Sequence, residues 1–132
     1  VDLNKLKQYI YTRLDALTEI GVYDGKPTST ATFPYLVFTV QIVRKINTKE
    51  TGLLKINYWD DTDDDSAILT ASKYIKEGRI IDEVELPGFD PGWEVQSDLF
   101  YRTYLENESQ PTEPESNMSR VLQSFLLIGF AT

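Results

Sequence analysis

The hydrophobic period of this chain changes between its first twenty residues and the segment entered at Phe33, and that change restricts the folds open to it. Leu3, Leu6, Ile10, Leu14 and Leu17 recur at helical spacing, with Asp2 placed to cap and Gly21 to stop. Residues 2–19 therefore read as one amphipathic helix. Val22-Tyr23-Asp24-Gly25-Lys26-Pro27 predicts a short extended stub and a turn, followed by a polar Ser/Thr stretch. From Phe33-Pro34 onward Leu36, Phe38, Val40 and Ile42 alternate with Tyr35, Val37, Thr39 and Gln41, the period of a strand with one fully apolar face. Leu54, Ile56 and Tyr58 alternate with Leu53, Lys55, Asn57 and Trp59 in the same way. The charged segment 44–51 between them predicts a hairpin with a projecting loop.

The aspartates from Asp60 to Asp65 precede a second helical pattern, Ile68, Leu69, Ala71, Ser72 and Ile75, that ends near Glu77-Gly78. Carboxylates belong there, because the free N–H groups and the dipole of a helix start carry partial positive charge. Pro87, Gly88, Pro91 and Gly92 punctuate a connection. Trp93, Val95, Leu99, Tyr101 and Leu105 then alternate with Glu94, Gln96, Asp98 and Arg102, which predicts one long strand. The last strand, 120–130, is apolar on both faces, with Phe125 and Leu127 on one and Leu122, Leu126 and Ile128 on the other. Such a strand needs cover on each side, from its own chain or from a neighbouring subunit. Residues 106–117, with Glu106, Glu108, Glu113, Glu115 and two prolines, contain no large apolar side chain and predict a mobile hairpin loop. The order of elements describes one α+β domain over residues 1–132: an antiparallel sheet of about four to five strands with two helices packed on one face.

Composition limits the chemistry. The chain has no cysteine and no histidine, so it has no thiolate nucleophile, no disulfide, no ordinary structural zinc site and no side chain that titrates near neutrality unperturbed. The serines stand in no nucleophile elbow, and neither a Walker loop nor a dinucleotide glycine fingerprint is present. Asp60, Glu94 and Asp98 offer carboxylate pairs, as any acidic chain does. Asp61, Asp63 and Asp65 occupy the first, third and fifth positions of a helix-loop-helix calcium loop. The match ends at Ser66, where a glycine must turn the chain, and at Ser72, where a bidentate glutamate should close the shell. Helix capping is the favoured reading, with weak divalent-cation binding as the residual one. No cofactor, no catalytic residue and no membrane span is expected, since the longest apolar run, near 125–130, is too short to cross a bilayer.

The net charge of −8 is unevenly spread. Residues 1–59 hold eight basic and five acidic side chains, a net of +3, whereas residues 60–132 hold five basic and sixteen acidic, a net of −11. A solvated acidic half is the plain reading. The sharper one is self-complementarity, in which copies pack head to tail and close into a ring.

Three stretches read together carry a family resemblance: the N-terminal helix with Val22-Tyr23-Asp24-Gly25-Lys26-Pro27, then Phe33-Pro34-Tyr35-Leu36-Val37-Phe38, then Ile56-Asn57-Tyr58-Trp59-Asp60 leading into a helix. The chain resembles the small tail-terminator proteins of long-tailed bacteriophages, also called tail-completion or tail-to-head joining proteins. The likeness covers roughly residues 2–80 by motif and the rest by strand order. It implies a non-enzymatic structural virion protein that forms a ring, commonly a hexamer, stops polymerisation of the tail tube and offers a docking face to the head. The implied partners are copies of itself, the tail-tube protein and the head-completion protein, with DNA only as the passing genome. The implied location is the head–tail interface of the virion, reached from the host cytoplasm during assembly. On this resemblance Arg44, Lys45, Lys49 and Glu50 of one loop and Glu106, Glu108, Glu113 and Glu115 of the other would touch axial neighbours or line the lumen. Phe125 and Leu127 would lie where subunits meet. An anionic lumen would let DNA slide without sticking.

Two other classes remain open at the level of sequence. A small acidic inhibitor or immunity-type module would mimic nucleic acid with the charges around 60–65 and 106–115. A carboxylate-dependent hydrolase is the weakest reading.

Overall fold

The computed structural model describes residues 2–96, 99–111 and 118–131. Helix α1 (Leu3–Leu17) starts where Asp2 accepts hydrogen bonds from the N–H groups of Asn4 at 3.0 Å and Lys5 at 3.3 Å. It ends before Gly21, at Thr18, whose hydroxyl turns back to the Leu14 carbonyl at 3.0 Å. Strand β1 (Gly21–Asp24) is the extended stub, and it pairs in parallel with β2 (Tyr35–Ile46). β2 forms a hairpin with β3 (Lys49–Asp60), after which α2 (Ser66–Glu77) crosses the sheet. Gly78, at φ 85°, ends α2 in a conformation that L side chains rarely adopt, and its N–H caps the Tyr74 carbonyl. β4 (Gly78–Ile81) and β5 (Val84–Pro87) then form a separate two-stranded hairpin. β6 (Gly92–Gln96), β7 (Leu99–Ser109) and β8 (Ser119–Ala131) complete the main sheet, whose order is β1-β2-β3-β8-β7-β6.

The fold is α+β, with a mostly antiparallel sheet and both helices on one face, as the periodicity predicts. Leu6, Ile10, Leu14 and Leu17 of α1 and Ile68, Ala71 and Ile75 of α2 join Leu36, Phe38, Leu54, Ile56, Tyr58, Val121, Phe125 and Leu127 in one core. Each of the larger side chains contributes about 1.5–3 kcal/mol by leaving water. The cross-strand pairs Phe38↔Ile56 and Leu54↔Phe125 fix the register, because a one-residue slip would turn this whole set outward.

Three expectations are corrected. Segment 44–51 is not a loop: β2 and β3 run through it, and only Asn47 and Thr48 turn, Asn47 at φ 54°. Polar residues extend a hairpin when the ladder is already in register, since the backbone bonds are indifferent to what the exposed side chains carry. Nor is 106–109 loop, because β7 continues to Ser109 through a register shift between Leu105 and Asn107. The single strand expected over 93–105 is two strands, β6 and β7, paired antiparallel from Gly92↔Thr103 to Gln96↔Leu99; alternation alone does not reveal a reversal of direction.

Candidate assembly surface

Register assigns every strand residue to one of two faces. The face away from the helices carries Tyr35 and Val37 of β2, Leu53 and Trp59 of β3, Leu122, Leu126 and Ile128 of β8, and Tyr104 of β7. Apart from the buried Val37, these are half-buried, and among the described residues no helix lies over them. The stacked pair Phe33–Tyr35, with centroids 5.0 Å apart, adds apolar area at the β2 entrance.

Among the described residues paired in the ladder, the charged side chains on that face are Arg44, Lys49, Lys55, Arg102 and Arg120, all basic. Arg120 lies 4.4 Å from the Trp59 ring centroid and donates to Asn57 Oδ1 at 2.9 Å, and Arg102 lies 4.8 Å from the Tyr104 ring. Such stacking holds guanidinium groups flat on an apolar surface. The carboxylates Glu50, Asp60 and Glu108 fall on the helix side. Charge is thus divided by sheet face as well as by chain half: Arg102 and Arg120, from the acidic half of the sequence, sit with Arg44 and Lys55.

The anticipated contact residues separate accordingly. Phe125 and Leu127 are fully buried under the helices, so they are core and cannot meet a neighbour. Their odd-numbered parity faces inward, and Leu122, Leu126 and Ile128 take the outward positions. Glu50 is buried and pairs with Lys45 at 3.5 Å, whereas Arg44 and Lys49 are exposed. Glu106 is exposed at the shift in β7. Glu108 binds Lys76 of α2 at 3.1 Å and accepts from Gln123 at 3.0 Å. Glu113 and Glu115 lie outside the described residues.

The aspartate cluster leads into α2, but Asp65, the N-cap residue, makes no side-chain cap hydrogen bond. Asp64 accepts from the Ser66 N–H at 3.0 Å, which lowers its pKa, and Gln110 donates to Asp65. Asp60 is buried; burial raises its pKa, against the opposing hydrogen bond from the Asp61 N–H at 2.8 Å. Among the described residues no three metal-ligand side chains come together. Glu50 and Asp60 stand at opposite ends of β3, roughly 30 Å apart at strand rise, far beyond the separation of carboxylates that share a substrate.

Sequence reasoning missed the β4–β5 hairpin. Its tip is Asp82 at φ 50° and Glu83 at φ 66°, and Ile80 and Val84 beside it are 72% and 59% exposed. The signal was an apolar pair, Ile80-Ile81, and an alternating segment, Val84-Glu85-Leu86, on either side of Asp82-Glu83; without the usual Asn-Gly the turn is hard to recognise.

No protein-family model and no curated protein sequence matches the chain.

Proposed function

We propose that this chain is a non-enzymatic structural subunit that forms a ring at the end of a long-tailed bacteriophage tail tube, stops tube polymerisation and joins tail to head. The observation that carries the reading, beside the sequence resemblance, is the uncovered outer face of the sheet. An apolar, aromatic and arginine-bearing surface of this kind has the composition of a protein–protein contact.

Its charge agrees with a ring around DNA. A cationic face left open to a channel would hold phosphates, so in a ring that passes a genome this face belongs against a neighbouring subunit. Exposed carboxylates such as Asp61, Asp63 and Glu106 then remain for the surfaces that DNA passes. Copies of the chain, a tube protein and a head-completion protein are the partners, in the assembling host cytoplasm and then the virion.

Nucleic-acid mimicry by an acidic module is less well supported, because Asp64, Asp65 and Glu108 are engaged within the chain. Electron micrographs of the purified protein, alone and mixed with tail tubes, test the proposal. Rings, or tubes capped at uniform length, are the expected result. A protein that stays monomeric at every concentration and leaves tube growth unchanged would remove it.

A further inference from the structure

The most exposed large apolar side chains among the described residues sit at two hairpin ends. Ile80 and Val84, at 72% and 59%, flank the β4–β5 turn; Val43 and Ile46, at 61% and 49%, lie near the β2–β3 turn. The two ends carry opposite charge. Around the first stand Asp82, Glu83 and Glu85, while its one cation, Arg79, is drawn back to Glu19 at 3.8 Å and to the Tyr74 ring at 4.5 Å. Around the second stand Arg44, Lys45 and Lys49, and its one carboxylate, Glu50, is buried against Lys45. Among the described residues Asp82, Glu83, Glu85, Arg44 and Lys49 form no ion pair. The hairpins also belong to different parts of the fold: one is the end of the main sheet, the other a sheet of its own.

Both turn positions have positive φ, which Asp82 tolerates and Glu83 adopts at a cost. Two carboxylates are kept at that tip all the same. Each tip pairs exposed apolar groups with unpaired charge, and each supplies what the other lacks.

We infer that copies of this chain join head to tail through these hairpins, the acidic β4–β5 tip of one copy seating on the basic β2–β3 end of the next. The contact is heterologous, so it leaves one free tip of each kind on every growing chain until a ring closes. This rests on the ring-forming role above and names the contact that gives the ring its direction. Opposite charges at the tips select that pairing over tip-to-like-tip association.

The absence of cysteine makes the test clean. A chain carrying both Ile46→Cys and Ile80→Cys, oxidised at increasing protein concentration, is expected to give a ladder of disulfide-linked species beyond dimer, whereas each single variant, whose cysteine meets no second cysteine across this contact, stays monomeric; single variants that dimerise as readily as the double one would show like-tip pairing and overturn the proposal. Arg44→Glu with Lys49→Glu in that background should raise the concentration for half-maximal linking roughly tenfold or more. Adding Glu83→Lys and Glu85→Lys should restore it, which also shows that the reversed chains fold. No species beyond dimer at any concentration, or a ladder indifferent to the reversals, overturns the pairing. Tube capping by the wild-type chain, scored separately, distinguishes the two proposals: capping without a ladder removes the hairpin contact alone, and a ladder without capping removes the tube-ending role alone.

Discussion

The phenolic hydroxyl of Tyr58 donates to Oε1 of Gln123 beneath α2, and both side chains are buried. Gln123 Nε2 donates in turn to the Ser72 carbonyl and to Glu108 Oε1, each at 3.0 Å, and Glu108 reaches Lys76 at 3.1 Å. One polar chain thereby ties β3, β8, β7 and α2 together. Burial, followed by the charge of Glu108, raises the Tyr58 pKa well above its ordinary value, so it remains a donor at neutral pH.

Gln123→Leu keeps the volume and removes every bond, stranding the Tyr58 hydroxyl, while the Ser72 carbonyl keeps its place in the helix ladder. It is expected to cost about 2–3 kcal/mol, and Tyr58→Phe about 1 kcal/mol. The double variant should cost clearly less than the sum, because Phe has no hydroxyl to strand. Urea unfolding of the three variants decides this; strict additivity would mean that the two side chains do not share a bond.

Tyr101 stands opposite Gly129 in the β7–β8 ladder, and a Cβ at Gly129 would meet the Tyr101 ring at 2.6 Å. Gly129→Ala is therefore expected to destabilise by about 1–3 kcal/mol, since ring and strand must separate. The buried Tyr101 hydroxyl has no hydrogen-bond partner among the described residues, and burial, then the Glu50 charge, raises its pKa. Tyr101→Phe removes that unsatisfied group and should leave stability unchanged or raise the melting temperature. A loss of more than about 1 kcal/mol would reveal a bond that the hydroxyl makes.

Adjacent positions of β8 separate folding from assembly. Phe125→Asp buries an unpaired charge in the core and should cost more than about 4 kcal/mol, enough to unfold most of the chain. Leu126→Asp, on the outer face, should leave circular dichroism near that of the wild type and abolish rings or tube capping. A folded Leu126→Asp protein that still assembles would show that the outer sheet face is not a contact.

Asp60 gives a pH signature. Its folded pKa is raised, so the native state holds the proton more tightly than the unfolded chain, whose value is about 3.9. Its contribution is fully present below that value and is lost as pH rises through the folded pKa. Asp60→Asn keeps an acceptor for the Asp61 N–H and removes the titration. Its stability relative to wild type should therefore increase as pH rises from the acid side towards neutrality, measured as the difference in urea midpoints. A constant difference across that range would mean that burial does not perturb Asp60.

Much of this fold was legible as periodicity. The 3.6-residue spacing of Leu6, Ile10 and Leu14 and the alternation through Leu36, Phe38 and Val40 follow directly from which side chains must leave water. The pattern failed where it was uninformative or misleading. The charged residues 44–45 could extend a ladder or leave it, and the alternation of Trp93 to Leu105 gave no sign that it spans two antiparallel strands.

The sequence by itself excluded the chemistry that needs a histidine or cysteine side chain, and it determined that β8 has two apolar sides. Only the tertiary structure decided which side is core. Both parities of 121–128 are hydrophobic, so the choice rests on which one the helices reach, and that is a matter of register with Leu54 and Ile56. The same holds for charge: Arg102 and Arg120 are remote in sequence from Arg44 and Lys55, and strand pairing alone gathers them onto one face, because side-chain direction in a sheet is set by position in the ladder.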